Sequence, residues 1–172
     1  MSEESRAGRV VAACSRPISG IPKQPQPEVR VGPLGIVGDY HSGPVDKHRR
    51  RGKPGPNYRQ ITVVAREAVD AVSRELGLRL QPGDLGENFL VEGHGDLGDL
   101  LPGDQLRIGE SVVLEVTGRN KPCATLRIYG PGIERAFKRR RGILAVVKQT
   151  GIARPGDRTE IVRVPRSDGS QV

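Results

Sequence analysis

The chain has 172 residues, a formal net charge of +8, 35% hydrophobic and 28% charged residues. That length suits one domain with one core, and no apolar run approaches the roughly 18 residues a membrane helix needs. Aromatic residues are only 3%, so the core must rest on Val, Ile and Leu, while 23 glycines and 14 prolines favour turns and short strands.

The N-terminus, MSEESRAGRVVAACS, places acids before its first arginine and does not read as a secretory signal. Residues 1–7 and 166–172 are expected to be flexible termini. GRVVAAC, from Gly8, reads as a first strand. Pro, Gly and Gln dominate from there to Gly32, which predicts turn and loop. LGIV (34–37) is a short strand candidate. From Gly38 to Tyr58 the chain is aperiodic, rich in Gly and Pro, and carries Lys47, Arg49, Arg50, Arg51 and Lys53. It reads as a long exposed loop.

QITVV (60–64) is β-branched and strand-like. Ala65, Ala68, Val69, Val72 and Leu76 then share one side of a helical pattern, with Gly77 where a C-terminal cap belongs. The tripeptide Pro-Gly-Asp occurs at 82–84, 102–104 and 155–157. Proline presets the first turn position and glycine accepts positive φ at the second, so each fits a type II turn. FLV, QLRIG, SVVLEVTG (111–118), GILAVV (142–147) and TEIVRV are strand candidates, and GPGIERAFKRR (130–140) a short helix with a cationic end. Many short strands with one or two helices predict a mainly β protein, a closed or partly closed barrel with helices packed outside.

Cys14 and Cys123 lie far apart, which excludes a disulfide framework and metal-ligand spacing and points to a reducing, cytoplasmic setting. Cys14 lies inside an apolar strand and reads as packing. Cys123 has two readings. Free cysteine is commonly an inert core residue. Against that, Pro122 gives no ladder donor, so the preceding strand ends before it, and Arg119, Lys121 and Arg127 are close in sequence, where cations favour thiolate. A lone thiolate attacks sulfur, carries a persulfide or ligates a soft metal.

GDLGENFLVEG (83–93) either brings backbone N–H groups and an amide to a ligand or is a glycine-rich hairpin. The cationic loop is either a solvated segment or a phosphate site using Arg59, Arg49 to Arg51, and His41 or His48. Asp39, His41 and His48 lack a fourth ligand at a familiar spacing, so a metal site there is not expected. No nucleophile elbow, Walker loop or dinucleotide fingerprint is present. The basic charge admits nucleic acid, a phosphorylated cofactor or an acidic protein.

The order GDYHSG, YRQITVVAREAVDAV, GDLGENFLVEG, LLPGDQLRIGESVVLEVTGRNKPCATL resembles the MOSC domain, found at the C-terminus of molybdenum cofactor sulfurases and as free-standing bacterial proteins. The resemblance spans residues 8–165 and implies a β-barrel. It implies that Cys123 is a sulfur carrier or a thiolate ligand to molybdenum. It further implies that Asn88, Lys121, Arg59, His41, Glu87 and Asn120 line a site for molybdenum cofactor (molybdopterin), with Arg59 meeting its phosphate. The 172 residues hold no pyridoxal-phosphate desulfurase domain, so a separate cysteine desulfurase would donate sulfur and molybdoenzymes would accept it. A different reading is a molybdenum-dependent reductase of N-hydroxylated compounds working with separate electron-transfer partners. A third is a non-enzymatic nucleic-acid binder resting on Arg49–Arg51 and Lys138–Arg141, although stacking aromatics are scarce.

Overall fold

The computed structural model describes residues 7–47 and 54–167. In chain order its elements are strands β1 (Gly8–Ser15), β2 (Gln24–Gln26), β3 (Val29–Gly32), β4 (Gly35–Ile36) and β5 (Ile61–Ala65). Helix α1 (Arg66–Leu76), β6 (Phe89–Glu92), β7 (Gln105–Ile108) and β8 (Val112–Arg119) follow. A 3-10 helix (Ala124–Tyr129), α2 (Ile133–Ala136), β9 (Ile143–Gln149), β10 (Gly151–Ala153) and β11 (Arg158–Val162) complete the series.

Seven strands close into a barrel in the order β1, β6, β5, β9, β8, β7, β11. The seam pairs Gly8 with Thr159 and Arg9 with Arg158, so β1 and β11, far apart in sequence, are neighbours. Closure leaves no free edge around the ring. Around the ring all pairs are antiparallel except β5 with β6, which are parallel and connected through α1. A parallel pair needs such a crossover because no tight turn joins two strands running the same way. β2 extends β1, and β10, β3 and β4 form a small separate sheet.

Period-two alternation decides which side chains fill the barrel. Ile61, Val63 and Ala65 of β5 and Phe89 and Val91 of β6 join Leu106, Ile108, Leu114 and Ile143 in the central core. Val64 and Leu90 point the other way, into an outer layer with Val69 and Val72 of α1, Ile133 and Phe137. β5 is therefore buried on both faces, its polar Thr62 included. Helix α1 turns its buried face, Ala68, Val69 and Val72, onto this layer and ends at Gly77, whose φ of 64° and N–H bond to Ser73 O make the expected cap.

Three expectations need correction. The stretch before Gly32 is not all loop: β2 and β3 lie within it. Gln24–Gln26 pairs with residues 13–15 of β1 through backbone bonds that need no apolar pattern. The helix expected over 130–140 is a single turn, because Gly130 and Gly132 take φ of 136° and 82° and Arg139 takes 68°, none of which is helical. Arg166, expected in a flexible terminus, is anchored to Pro102 O and Asp104. Among the described residues no helix is long and apolar enough to cross a membrane.

The three Pro-Gly-Asp turns are built alike. Gly83, Gly103 and Gly156 have φ of 89°, 95° and 91°, and each aspartate N–H donates to the carbonyl three residues back. Each aspartate side chain then accepts the backbone N–H of that same residue, Gln81, Leu101 or Arg154. Asp104 goes further. Fully buried, it also accepts Val164 N–H and the guanidinium of Arg166, which binds the C-terminal segment to the barrel. Burial pushes its carboxyl up, but the N–H groups of Leu101 and Val164 and the charge of Arg166 outweigh that and hold it below its ordinary value.

Asp104→Ala should therefore lower the urea midpoint by an amount equivalent to about 2 kcal/mol, because it removes the buried acceptor shared by Leu101 N–H, Val164 N–H and Arg166. A carboxyl depressed in the folded state stabilises fully above its unfolded pKa, near ~3.9. That contribution is lost as pH falls through the folded value, so wild-type stability should fall more steeply than the variant's below about pH 4.

Candidate functional site

Buried polar side chains collect along the loop 83–88, between β1, β5 and β9. Gly83 opens it, and only glycine fits: a Cβ there would stand 2.0 Å from Lys23 O. Lys23 N–H in turn donates to Gly83 O at 2.9 Å, so the two segments lie backbone to backbone.

Asn88 is fully buried. Its Oδ1 accepts Thr62 N–H at 3.1 Å, and its Nδ2 donates to Cys14 O at 3.1 Å. Its own N–H donates to Thr62 O, and its carbonyl accepts Cys14 N–H. The amide of the Gly-Glu-Asn motif is thus committed to the backbones of β1 and β5, where it fixes the mouth of the parallel pair. Glu87, one residue earlier, is also buried. Its Oε1 accepts Gly83 N–H at 2.6 Å, and its Oε2 has no partner among the described residues. Burial raises its pKa, with Gly83 N–H and Arg141 opposing.

Arg141, expected as the end of a surface cluster, turns inward and is buried. Its Nη2 donates to Leu85 O at 2.7 Å, while Nε and Nη1 are buried without partners among the described residues. Gly142 makes this possible: a Cβ there would sit 2.0 Å from Val63 O, so the backbone runs against β5 and carries the guanidinium inside. Arg59 is half-buried, with Nε likewise unpartnered and Nη2 donating to Asn120 Oδ1 at 3.5 Å. Asn120 is itself buried and donates its N–H to Gly142 O. Two guanidinium groups thus offer three buried nitrogen donors without partners among the described residues, in one neighbourhood.

Cys123 lies beside them, exposed, where β8 has ended and the 3-10 helix begins. The hydroxyl and N–H of Thr125 hydrogen-bond its sulfur, and with the charge of Arg141 and the Ala124 N–H they outweigh burial and hold the thiol below its ordinary value. Cys14 is the opposite case. Burial first, then the charge of Glu87, push it up to about 12, so it stays a thiol.

His41 belongs to a second buried group. Lys23 Nζ, with a side chain 1% exposed, donates to Asp39 Oδ2 at 2.9 Å and lies 3.0 Å from His41 Nδ1. Asp39 also accepts the N–H groups of Arg16 and His41. Burial pulls the Lys23 ammonium down and pushes Asp39 up. For Asp39 the hydrogen bonds from His41, Lys23 and Arg16 and the charge of Lys23 prevail, leaving it well below the usual carboxylate range. Asn57 links this group to the arginines: its Nδ2 donates to His41 O at 2.8 Å and its Oδ1 accepts Arg59 N–H at 3.0 Å.

Of the residues expected from sequence, Cys123, Arg59, Asn120 and Glu87 fall in one neighbourhood. His41 joins through Asn57, Asn88 lies beneath as a backbone brace, and Lys121 is on the surface. His48, Arg49, Arg50, Arg51 and Lys53 lie outside the described residues. Arg141, Lys23, Asn57 and Thr125 do not stand out for this site in the sequence. For Arg141 the usable signal is an arginine directly before Gly142 and a buried strand; for Lys23, nothing in its spacing announces burial. Among the described residues no group of His, Cys, Asp and Glu is placed to hold a metal ion.

A family model described as "MOSC domain" matches residues 39–160. Among solved structures, the YuaD protein of Bacillus subtilis aligns with a TM-score of 0.84 at 24% identity, covering 92% of this chain and 97% of that one. YiiM of Geobacillus stearothermophilus aligns at 0.68 and 21% identity, covering 91% and 75%. YiiM of Escherichia coli aligns at 0.62 and 20% identity, covering 92% and 72%. These structures share the fold. The curated proteins yield no match.

Under native conditions iodoacetamide should modify Cys123 once and leave Cys14 untouched until denaturant is added, as intact-mass analysis would read. Arg141→Ala and Thr125→Val should each carry the alkylation profile to higher pH. The rate at neutral pH should then fall, by up to about tenfold for every pH unit that the profile moves. Asn88→Ala should destabilise by about 3 kcal/mol in urea, because it strands buried backbone groups on two strands.

Proposed function

Because the chain belongs to the MOSC domain family, which is associated with molybdenum cofactor binding and sulfur chemistry, we propose that it binds an anionic molybdopterin-type cofactor and carries sulfur on Cys123. The observation that carries this reading is the pairing of an exposed, acidified thiol with buried, unpartnered N–H groups on Arg59 and Arg141. Buried donors without acceptors are costly, and a phosphate or other oxyanion supplies the acceptors, with bidentate geometry that suits guanidinium.

The donor set fits the cofactor on these grounds. Arg59 and Arg141 would hold the phosphate, Asn120 would orient Arg59, and Cys123 would be the one protein ligand to molybdenum, a soft thiolate on a soft site. When bound, the cofactor supplies a molybdenum centre for sulfur-atom or oxygen-atom chemistry. Asn88 contributes from below, by holding the loop that carries Glu87 and the Leu85 carbonyl to which Arg141 is tied.

For sulfur carriage, the Cys123 thiolate attacks the terminal sulfur of a donor persulfide, such as that of a cysteine desulfurase. A new Sγ–S bond forms, the donor's S–S bond breaks, and the donor cysteine leaves as thiolate. Arg141 stabilises negative charge on sulfur before and after transfer. A thiol held low is both nucleophilic at neutral pH and a fair leaving group when the sulfur passes to an acceptor such as a molybdoenzyme.

Protein from a cofactor-competent host should carry molybdenum and pterin, by elemental and mass analysis. After exposure to a cysteine desulfurase with cysteine it should gain about 32 Da, the mass of one persulfide sulfur. Cys123→Ser should lose the added sulfur, and Arg141→Ala should lose most of the pterin. If wild type holds no more pterin, molybdenum or sulfur than Cys123→Ser, the proposal fails.

A further inference from the structure

Glu87 is fully buried, yet one of its carboxylate oxygens has no partner among the described residues. Its carboxylate accepts Gly83 N–H at 2.6 Å, and its own backbone N–H also favours the ionised form. Its charged and titratable neighbours are Arg141, Asp84, Lys23, Cys14 and Tyr129. Of these, Lys23 is already paired to Asp39 at 2.9 Å. Cys14 and Tyr129, both pushed up to about 12 chiefly by burial, stay neutral. Asp84 opposes a second negative charge. The charge of Glu87 therefore leans on Arg141, whose Nη2 holds Leu85 O on the same loop and whose Nε and Nη1 face no acceptor among the described residues.

Arg141 serves two sites at once. Its charge favours ionised Glu87 on one side and thiolate on Cys123 on the other, and Arg59 lies close enough to oppose it. An oxyanion seated on Arg141 and Arg59 uses up the field on which Glu87 depends and adds repulsion of like charge. A buried carboxylate with one unpartnered oxygen relieves this by taking a proton.

We propose that Glu87 takes up a proton when an oxyanion settles on Arg59 and Arg141, so that the site binds anion and proton together. The inference rests on the anion-site reading above and adds how that site is regulated. The proton comes from solvent and bonds to a Glu87 carboxylate oxygen; no other bond changes and nothing is oxidised. By linkage, a group that gains a proton on binding makes affinity rise as pH falls. The rise reaches up to about tenfold per pH unit between the free-state and anion-bound pKa values of Glu87. A site for a phosphorylated cofactor so built releases its ligand on the alkaline side and retains it on the acid side.

Inorganic sulfate is the probe, because it does not itself titrate near neutrality. Calorimetry of sulfate binding in buffers of different ionisation enthalpy counts the protons taken up. The background is Cys123→Ala, which removes the neighbouring thiol whose protonation the anion would also raise. Uptake of up to about one proton is expected, and Glu87→Gln, which keeps the acceptor for Gly83 N–H, should abolish it while sulfate still binds. In the infrared difference spectrum on adding sulfate to Cys123→Ala, a protonated-carboxyl C=O band should appear; this reading needs no folded Glu87 variant. Sulfate binding without proton uptake, or with the same uptake in Glu87→Gln, overturns the coupling and leaves the anion site standing. Sulfate binding that Arg141→Ala does not weaken, or no binding at all, overturns both.

Discussion

The site depends on one buried amide. Asn88 spends both ends of its side chain on main-chain groups of β1 and β5, and its own peptide groups on the same two strands. β1 and β5 flank β6 on its two sides, and Asn88 stands just before the first residue of β6. Thr62 N–H and Cys14 O are met there by the Asn88 side chain, and burying them unmet would cost several kcal/mol (of order 1–3 each). A single asparagine answers with donor and acceptor at once. Glu87 and Leu85 are then held where Arg141 meets them, so the electrostatics around Cys123 rest on a residue that offers that site no atom of its side chain.

Much of the fold is legible in the sequence. β5, β8 and β9 announce themselves by β-branched runs, α1 by its fourfold spacing and Gly77, and the three Pro-Gly-Asp turns by their chemistry. What is not legible depends on pairing across distance. Gln24–Gln26 is a strand because β1 offers it backbone partners, and no local pattern reports that. The aspartate of each turn reads as turn composition, whereas its side chain closes back on the turn's first N–H.

The site is half legible for a related reason. Cys123 stands out through Pro122 and its neighbours. Arg141 does not, because it ends a run of four basic residues that reads as one exposed face. Only three-dimensional placement separates Arg140, bonded to Glu75 on the surface, from Arg141, buried beside Leu85. Lys23 is similar: a lysine among prolines and glutamines gives no hint that it is among the most buried side chains in the protein. Its desolvation is offset chiefly by Asp39 of the Gly-Asp-x-His stretch, so a motif that resembles ligand chemistry also neutralises a buried ammonium.

The seam between β1 and β11 has a kinetic consequence. Hairpin neighbours such as β7 with β8 find each other over a few residues, but Gly8 meets Thr159 only after nearly the whole described chain has been laid down. Loop-closure entropy makes such a contact late. Until it forms, the ring is an open sheet in which β11 and the start of β1 present unpaired edges, and β11 is the strand that seals β1. Ribosomal synthesis thus delivers a nascent chain whose inner layer stays wet until its final stave arrives.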